Sequence, residues 1–206
     1  MAILVGFKRA YIQPFGKDGK PIASGLIVVE GKTDKGATST AKITGLSKEA
    51  TKVAGSDVAY WISRKGVGDV KAELALLDLP HDSEQIILGK TVSETGIAYS
   101  GNDTEPPYCG VILESSDAQG NKAQFAFFKG SFAKDEVDLN TLDPSEAFKP
   151  EAETYTLTCV ASDVEGDQNG QYVGEFYGDA TTDATTFSAL QTQALGAPVT
   201  SPTPKA

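Results

Sequence analysis

The 206-residue chain has one histidine, two cysteines, one tryptophan and a single methionine, so the chemistry open to it is narrow. His81 is the one conventional general base. A serine or cysteine nucleophile would need that imidazole beside it, oriented in turn by a carboxylate, and no GxSxG-type elbow surrounds any serine. His81 instead stands next to Asp82 in what reads as the first turn of a helix, the setting of a surface histidine. Cys109 and Cys159 are far apart and neither belongs to a CxxC pair, so they supply no cluster of four zinc ligands. Both sit in apolar, aromatic-containing runs and read as reduced core residues. Gly31-Lys-Thr33 and Gly89-Lys-Thr91 imitate the end of a phosphate-binding loop. The glycine that such a loop needs upstream is Leu26 in one case and Glu84 in the other, so both read as turns. The run from Glu165 through Asp167 and Asn169 to Gly170 starts like a calcium loop, but the position of the closing bidentate acid is Phe176, and Glu175 falls one residue early. An Asn-Gly turn explains it better. Asn102-Asp-Thr104 matches a glycosylation acceptor, idle without a secretory leader. No catalytic, cofactor or metal site is expected.

The charge balance narrows the partners. Lysine and arginine number 18 against 28 aspartates and glutamates, a formal charge of −10. Gripping nucleic acid needs cations that displace condensed counterions, and a polybasic membrane anchor needs them too. No uncharged apolar run approaches the ~18 residues that span a bilayer. Lys8 and Arg9 follow the short apolar start instead of preceding it, the reverse of a secretory signal, which makes the cytoplasm the expected address.

What must position these residues is mainly strand. With 21 glycines and 10 prolines, the chain reads as short strands between turns. Val70, Ala72, Leu74 and Leu76 alternate with Lys71 and Glu73, the pattern of a half-buried antiparallel strand. Ala2–Phe15, Gly25–Val29, Thr154–Val160 and Gln171–Tyr177 are further strands. Tyr108–Ser116 and Ala123–Phe132, separated by Asp117–Asn121, predict a hairpin. Asp78 as a cap, Pro80 in the first turn and Gly89 beyond the last apolar residue predict a short helix over about 80–88. Asp183–Leu195 reads as a weak helix, and Gly196–Ala206 as a mobile, proline-spaced tail. Pro144 and Pro150 bracket an acidic connector, Asp138–Glu151. Tyr99, Tyr108, Phe125, Phe127 and Phe128 read as core, because no basic residues interleave them for stacking on bases.

The segment 46–68 is unusual. It carries Val53, Val58, Ala59, Tyr60, Trp61 and Ile62 together with Lys48, Lys52, Arg64 and Lys65, cations concentrated in an acidic chain. Two readings stand side by side: two more core strands, or a projecting loop whose apolar and cationic groups a partner buries.

Several blocks, in order and spacing, resemble the major tail protein of long, non-contractile-tailed bacteriophages of Gram-positive bacteria. They are Val58-Ala-Tyr-Trp-Ile-Ser-Arg-Lys-Gly66, Leu77-Asp-Leu-Pro-His-Asp82 with Ile87-Leu-Gly89, Gly96-Ile-Ala-Tyr99, Pro106-Pro-Tyr-Cys109, and Phe127-Phe-Lys-Gly-Ser-Phe132 with Asp135-Glu136. The resemblance runs from about Phe7 to Tyr177; the chain beyond Asp179 has no matching block. It implies an antiparallel β-sandwich or barrel with a flanking helix, spanning residues 1–179; the weak helix at 180–195 and the disordered tail at 196–206, read from the residues themselves, lie beyond it. It also implies homohexameric rings stacked into a tube, with one sheet per subunit joining a barrel around the lumen. Expected partners are further copies of the chain, the tape measure, tail terminator and distal tail proteins, and passing DNA, with no membrane and no enzymatic activity. The expected place is the virion tail, after assembly in the host cytoplasm. Six copies, each at −10, make an acidic wall that repels phosphates and lets a duplex slide. Glu73 is the candidate lumen-facing residue. The candidate self-assembly residues are Val58, Tyr60, Trp61, Ile62, Arg64 and Lys65, since a long loop between strands is expected to reach the next ring. A monomeric β-sandwich binding module, such as a carbohydrate-recognising adhesin, is the alternative from another class.

Overall fold

A computed structural model describes residues 3–141, 145 and 147–199. In chain order the elements are β1 (Leu4–Pro14), β2 (Ile27–Val29), β3 (Ala37–Thr44), β4 (Thr51–Gly55), β5 (Val58–Ser63), β6 (Lys71–Leu77) and α1 (His81–Ile87). There follow β7 (Thr91–Val92), β8 (Ala98–Tyr99), β9 (Tyr108–Asp117), β10 (Lys122–Ala133), β11 (Glu153–Cys159), β12 (Val173–Gly178) and α2 (Ala184–Leu195). Eight strands form one antiparallel sheet in the order β2-β1-β9-β10-β11-β6-β3, with β12 also paired to β10.

Strand β10 folds this sheet over. Its first half, Lys122–Phe127, pairs with β12, and its second half, Gly130–Ala133, pairs with β11. Between them the register against β9 slips at Phe127–Gly130, and such a bulge bends a strand and increases its twist. The two wings therefore face each other as a sandwich, and Thr38 Oγ1 of β3 donates to the Phe7 carbonyl of β1 at 2.6 Å across the closure. Between the wings lies the main core: Ile12, Leu74, Val111, Phe127, Phe132 and Tyr155 are its larger members, with Ile87 of α1 closing one side. Full burial of each such side chain contributes roughly 1.5–3 kcal/mol. The alternation on β6 is as the sequence predicts, with Ala72, Leu74 and Leu76 inward and Lys71 and Glu73 outward.

A second, smaller core lies outside the sandwich. Tyr11, Ile112, Ala126 and Phe128, on the outer face of β1, β9 and β10, pack against Leu190, Ala194 and Leu195 of α2. The expected weak helix is thus a three-turn helix seated on the sheet, ended by Gly196 at φ 78°. Gly110 permits the approach, because a Cβ there would collide with the Ala194 carbonyl oxygen. With both faces covered, β9 is buried along nearly its whole length.

Several expectations need correction. Asp78 is not the cap of α1: the N-cap is Pro80, with no side-chain cap, while Asp78 takes φ 50° in the turn before it. Gly89 does stand in the left-handed conformation just past the helix. Tyr99 and Tyr108 are exposed, because both sit at strand ends, whereas Phe127 and Phe128 are buried and Phe125 is half-buried. Strand β3, unforeseen in the sequence, is an edge strand whose residues are exposed or half-buried. Of the expected tail, Val199 packs beside the second core and its N–H donates to Gln191 Oε1 at 2.9 Å; the remainder, from residue 200, lies outside the described residues, as does part of the acidic connector.

Candidate assembly surfaces

Strands β4 and β5 pair only with each other. The two residues between them, Ser56 and Asp57, have φ of 53° and 62°, the paired positive values of a type I′ turn whose twist suits a hairpin. Val53 lies opposite Trp61 and Ala54 opposite Ala59, so Tyr60 is the extra residue of a bulge. Tyr60 is 82% exposed. Val53, Val58, Trp61 and Ile62 are exposed as well, on both faces of the ribbon. Lys52, Arg64 and Lys65 are exposed beside them. The base of the ribbon is clipped to the body by Gly68 N–H donating to the Gly45 carbonyl at 2.8 Å and Lys48 N–H to the Gly66 carbonyl at 3.4 Å. Of the two readings of this segment, the geometry is that of a ribbon outside the main sheet. An isolated two-stranded ribbon is marginal in water, and an apolar one open on both faces loses the burial that would stabilise it.

Glu73 is elsewhere, on the outer face of the β11-β6-β3 wing. It lies opposite Lys42 in register, with Lys42 Nζ 3.3 Å from its Oε2, and on its other side faces Thr156. Thr154, Thr156 and Thr158 line the same face, and Lys71 is matched by Asp69 at 2.7 Å. Among the described residues, no element packs on this wing as α2 packs on the other. It is an open, hydroxyl-rich surface on which cations and carboxylates are paired.

The residues first considered for chemistry are placed as structural groups. His81 is exposed at the start of α1, its Nδ1 3.9 Å from Glu84. Cys109 and Cys159 are free, buried thiols, and burial pushes each up to about 12. The loop at Glu165–Gly170 is tied back by Gly170 N–H to the Ser162 carbonyl at 2.8 Å. A charged cluster that sequence reading did not single out fastens α1: Glu84 Oε1 accepts from Lys90 at 3.3 Å and Lys134 at 3.2 Å, and Lys134 reaches Glu153 at 2.8 Å. Also unforeseen are Val137, Leu139 and Phe148 in the loop joining β10 to β11, exposed by 61%, 93% and 76%. Large apolar residues inside an acidic, proline-bracketed stretch were the available signal.

These features define a β-sandwich subunit that leaves large apolar residues exposed on the β4–β5 ribbon and in the loop joining β10 to β11. Residues 3–195 match the family model described as phage tail tube protein, and the chain belongs to that family. The match ends with the last residue of α2, so the helix lies inside it. Comparison with curated proteins gave no match. Membership makes the protein a structural component of the virion tail that assembles with itself and with other tail proteins. No described helix is long and apolar enough to cross a membrane.

Proposed function

We propose that six copies of the chain close into a ring, that rings stack into the tube of a long, non-contractile tail, and that the tube conducts the genome without any enzymatic step. The observation that carries this reading is the β4–β5 ribbon: exposed aromatic and aliphatic anchors with cations at the flank are what a recurring protein contact needs. Val58, Tyr60, Trp61, Ile62, Arg64 and Lys65 are its contact residues. The open wing carrying Glu73 faces the lumen in this reading. Its cations are already matched by carboxylates, so it offers phosphates no unpaired positive charge, and the net −10 of each copy repels them at longer range. Joining the wings of neighbouring copies edge to edge also removes the exposed strand edges that a lone subunit leaves at β3. The tube's ends would meet the tape measure, tail terminator and distal tail proteins, after assembly in the host cytoplasm.

Negative-stain microscopy of the purified protein across a concentration series tests this. Rings of sixfold symmetry, and tubes at high concentration, are expected; a protein that stays monomeric at every concentration would refute it. His81→Ala should assemble like the parent.

A further inference from the structure

Helix α2 is fastened to the sheet differently from the strands beneath it. Its twelve residues carry no charge, and among the described residues no hydrogen bond or ion pair joins it to a strand. The bonds at its two ends stay within its own segment. Asp183 Oδ2 accepts from the Asp179 N–H, and Asp179 Oδ1 accepts from the Thr181 and Thr182 N–H groups, each at 2.9 Å. At the other end the Val199 N–H donates to Gln191 Oε1. Apolar contact is what holds the helix down, and it serves only part of the seat. Leu190, Ala194 and Leu195 pack on Tyr11, Ile112, Ala126 and Phe128. Phe187, a turn earlier, meets charge instead: its ring is 5.2 Å from Lys122 Nζ and 4.9 Å, edge-on, from Phe176. On that outer face Lys122 reaches Glu114 at 2.7 Å and Arg9 reaches it at 3.9 Å. Gln124, in register with Glu114 and Phe176, donates its Nε2 to Glu114 at 3.2 Å. Gln124 is fully buried, and its Oε1 has no hydrogen-bond partner among the described residues. A buried acceptor left unpaired costs free energy that contact with water relieves. Among the described residues, none of α2 belongs to the main core, so lifting the helix takes nothing out of the space between the wings.

We infer that α2 is a strap that opens and closes as one unit over an intact sandwich, pivoting on the turn between β12 and its own first residue. Closure is driven by Leu190, Ala194 and Leu195; opening hydrates Gln124 and the charges around Glu114, and bares the outer face of β1, β9 and β10. Segments that open this way are those with few buried contacts and no ladder to the rest of the fold. The device belongs to the single subunit and does not depend on the assembly reading.

Native-state hydrogen exchange on the whole chain, in a series of guanidinium concentrations below the unfolding transition, tests this. Amides of residues 188–195 should exchange about a hundredfold or more faster than those of β6 and β11, with little dependence on denaturant, because opening uncovers little surface. Leu74 is fully buried in the main core, on β6 and away from the seat of α2. Leu74→Ala should therefore speed exchange in β6 and β11 about tenfold or more and leave residues 188–195 at the parent's rate. Leu74→Val makes the same comparison at smaller size if the alanine variant does not fold. Gln124→Met replaces the unpaired amide with an apolar group of similar shape and should slow exchange of residues 188–195 about fivefold or more. One common rate for α2, β6 and β11 in the parent would overturn the inference, and so would acceleration of α2 by the Leu74 substitutions. Unchanged or faster exchange of α2 in Gln124→Met would overturn it as well, by showing that the polar cluster does not loosen the helix.

Discussion

Strands β9 and β5 are built from similar residues and have opposite fates. Cys109-Gly-Val-Ile-Leu113 in β9 is buried on both faces, by the opposite wing on one side and α2 on the other. Val58-Ala-Tyr-Trp-Ile62 in β5 is exposed on both faces, with only β4 beside it. Neither strand has the one-face alternation that betrays a half-buried sheet. Hydrophobicity alone therefore does not say where a strand's free energy is realised. In β9 it is realised within one chain as fold stability; in β5 it is not realised within the chain, and under the assembly proposal it is realised on contact with another.

The largest effect should come from the first region. Phe127 is fully buried between the wings at the bulge of β10, so Phe127→Ala should cost about 3–5 kcal/mol, lowering Tm by roughly 10 °C in a chain of this size. Thermal unfolding followed by circular dichroism measures it. An unchanged Tm would mean that the main core is not where stability resides.

The second region should behave in the opposite way. Trp61→Ala should leave a soluble, β-rich subunit with Tm within a few degrees of the parent. As an interface anchor the residue contributes roughly 2–4 kcal/mol per contact, and the contact recurs around each ring, so tube length or yield should collapse. Normal tubes, or a subunit that no longer folds, would erase the contrast between β9 and β5.

Gly110 sharpens the same contrast at intermediate size. Gly110→Val places side-chain atoms against the Ala194 carbonyl and the Phe15 ring, which should push α2 off the outer face at a cost of about 1–3 kcal/mol. Hydrogen exchange should then rise in α2 and along the outward residues of β9, while β6 and β11 keep their protection. A uniform rise through the whole sheet would show that α2 and the sandwich unfold as one unit.

Much of the sandwich was readable because its signals are local. The alternation in β6, the turn between β9 and β10, and Gly89 at the end of α1 each act over a few residues. Strand β3 escaped because Ala37-Thr-Ser-Thr-Ala-Lys-Ile-Thr44 is an edge strand with little apolar alternation to read. The seat of α2 escaped because its contact depends on Leu190, Ala194 and Leu195 meeting the outer face of β1, β9 and β10, far away in sequence. Tyr99 and Tyr108 were misjudged as core because aromatic type does not report a position at a strand's end. For the ribbon, composition gave two readings and no means of choosing: whether a face is covered is a fact about other segments. The exposed Val137, Leu139 and Phe148 passed unremarked because acids and prolines around them resemble a linker.

The smallest effect concerns pH. The Lys134 ammonium, aided by the Tyr155 hydroxyl at 2.8 Å, holds the Glu153 carboxyl below the usual carboxylate range. Burial works to lower the Lys134 pKa, but its hydrogen bonds to Glu153 and Glu84 outweigh that and raise it. A carboxyl depressed in the folded state binds fewer protons there than in the unfolded chain. Its contribution is complete above the unfolded value near 4.5 and is lost as pH falls through the lower folded value. The Glu153 side chain is 48% exposed, so solvent screening limits the effect to no more than about 1 kcal/mol. Tm measured from pH 7 to pH 3 should fall on the acid side in the parent. Glu153→Gln should start slightly lower at pH 7 and fall less steeply below pH 4.5, so that the two curves converge. Parallel curves would show that the Lys134–Glu153 pair adds nothing to the stability of the folded chain.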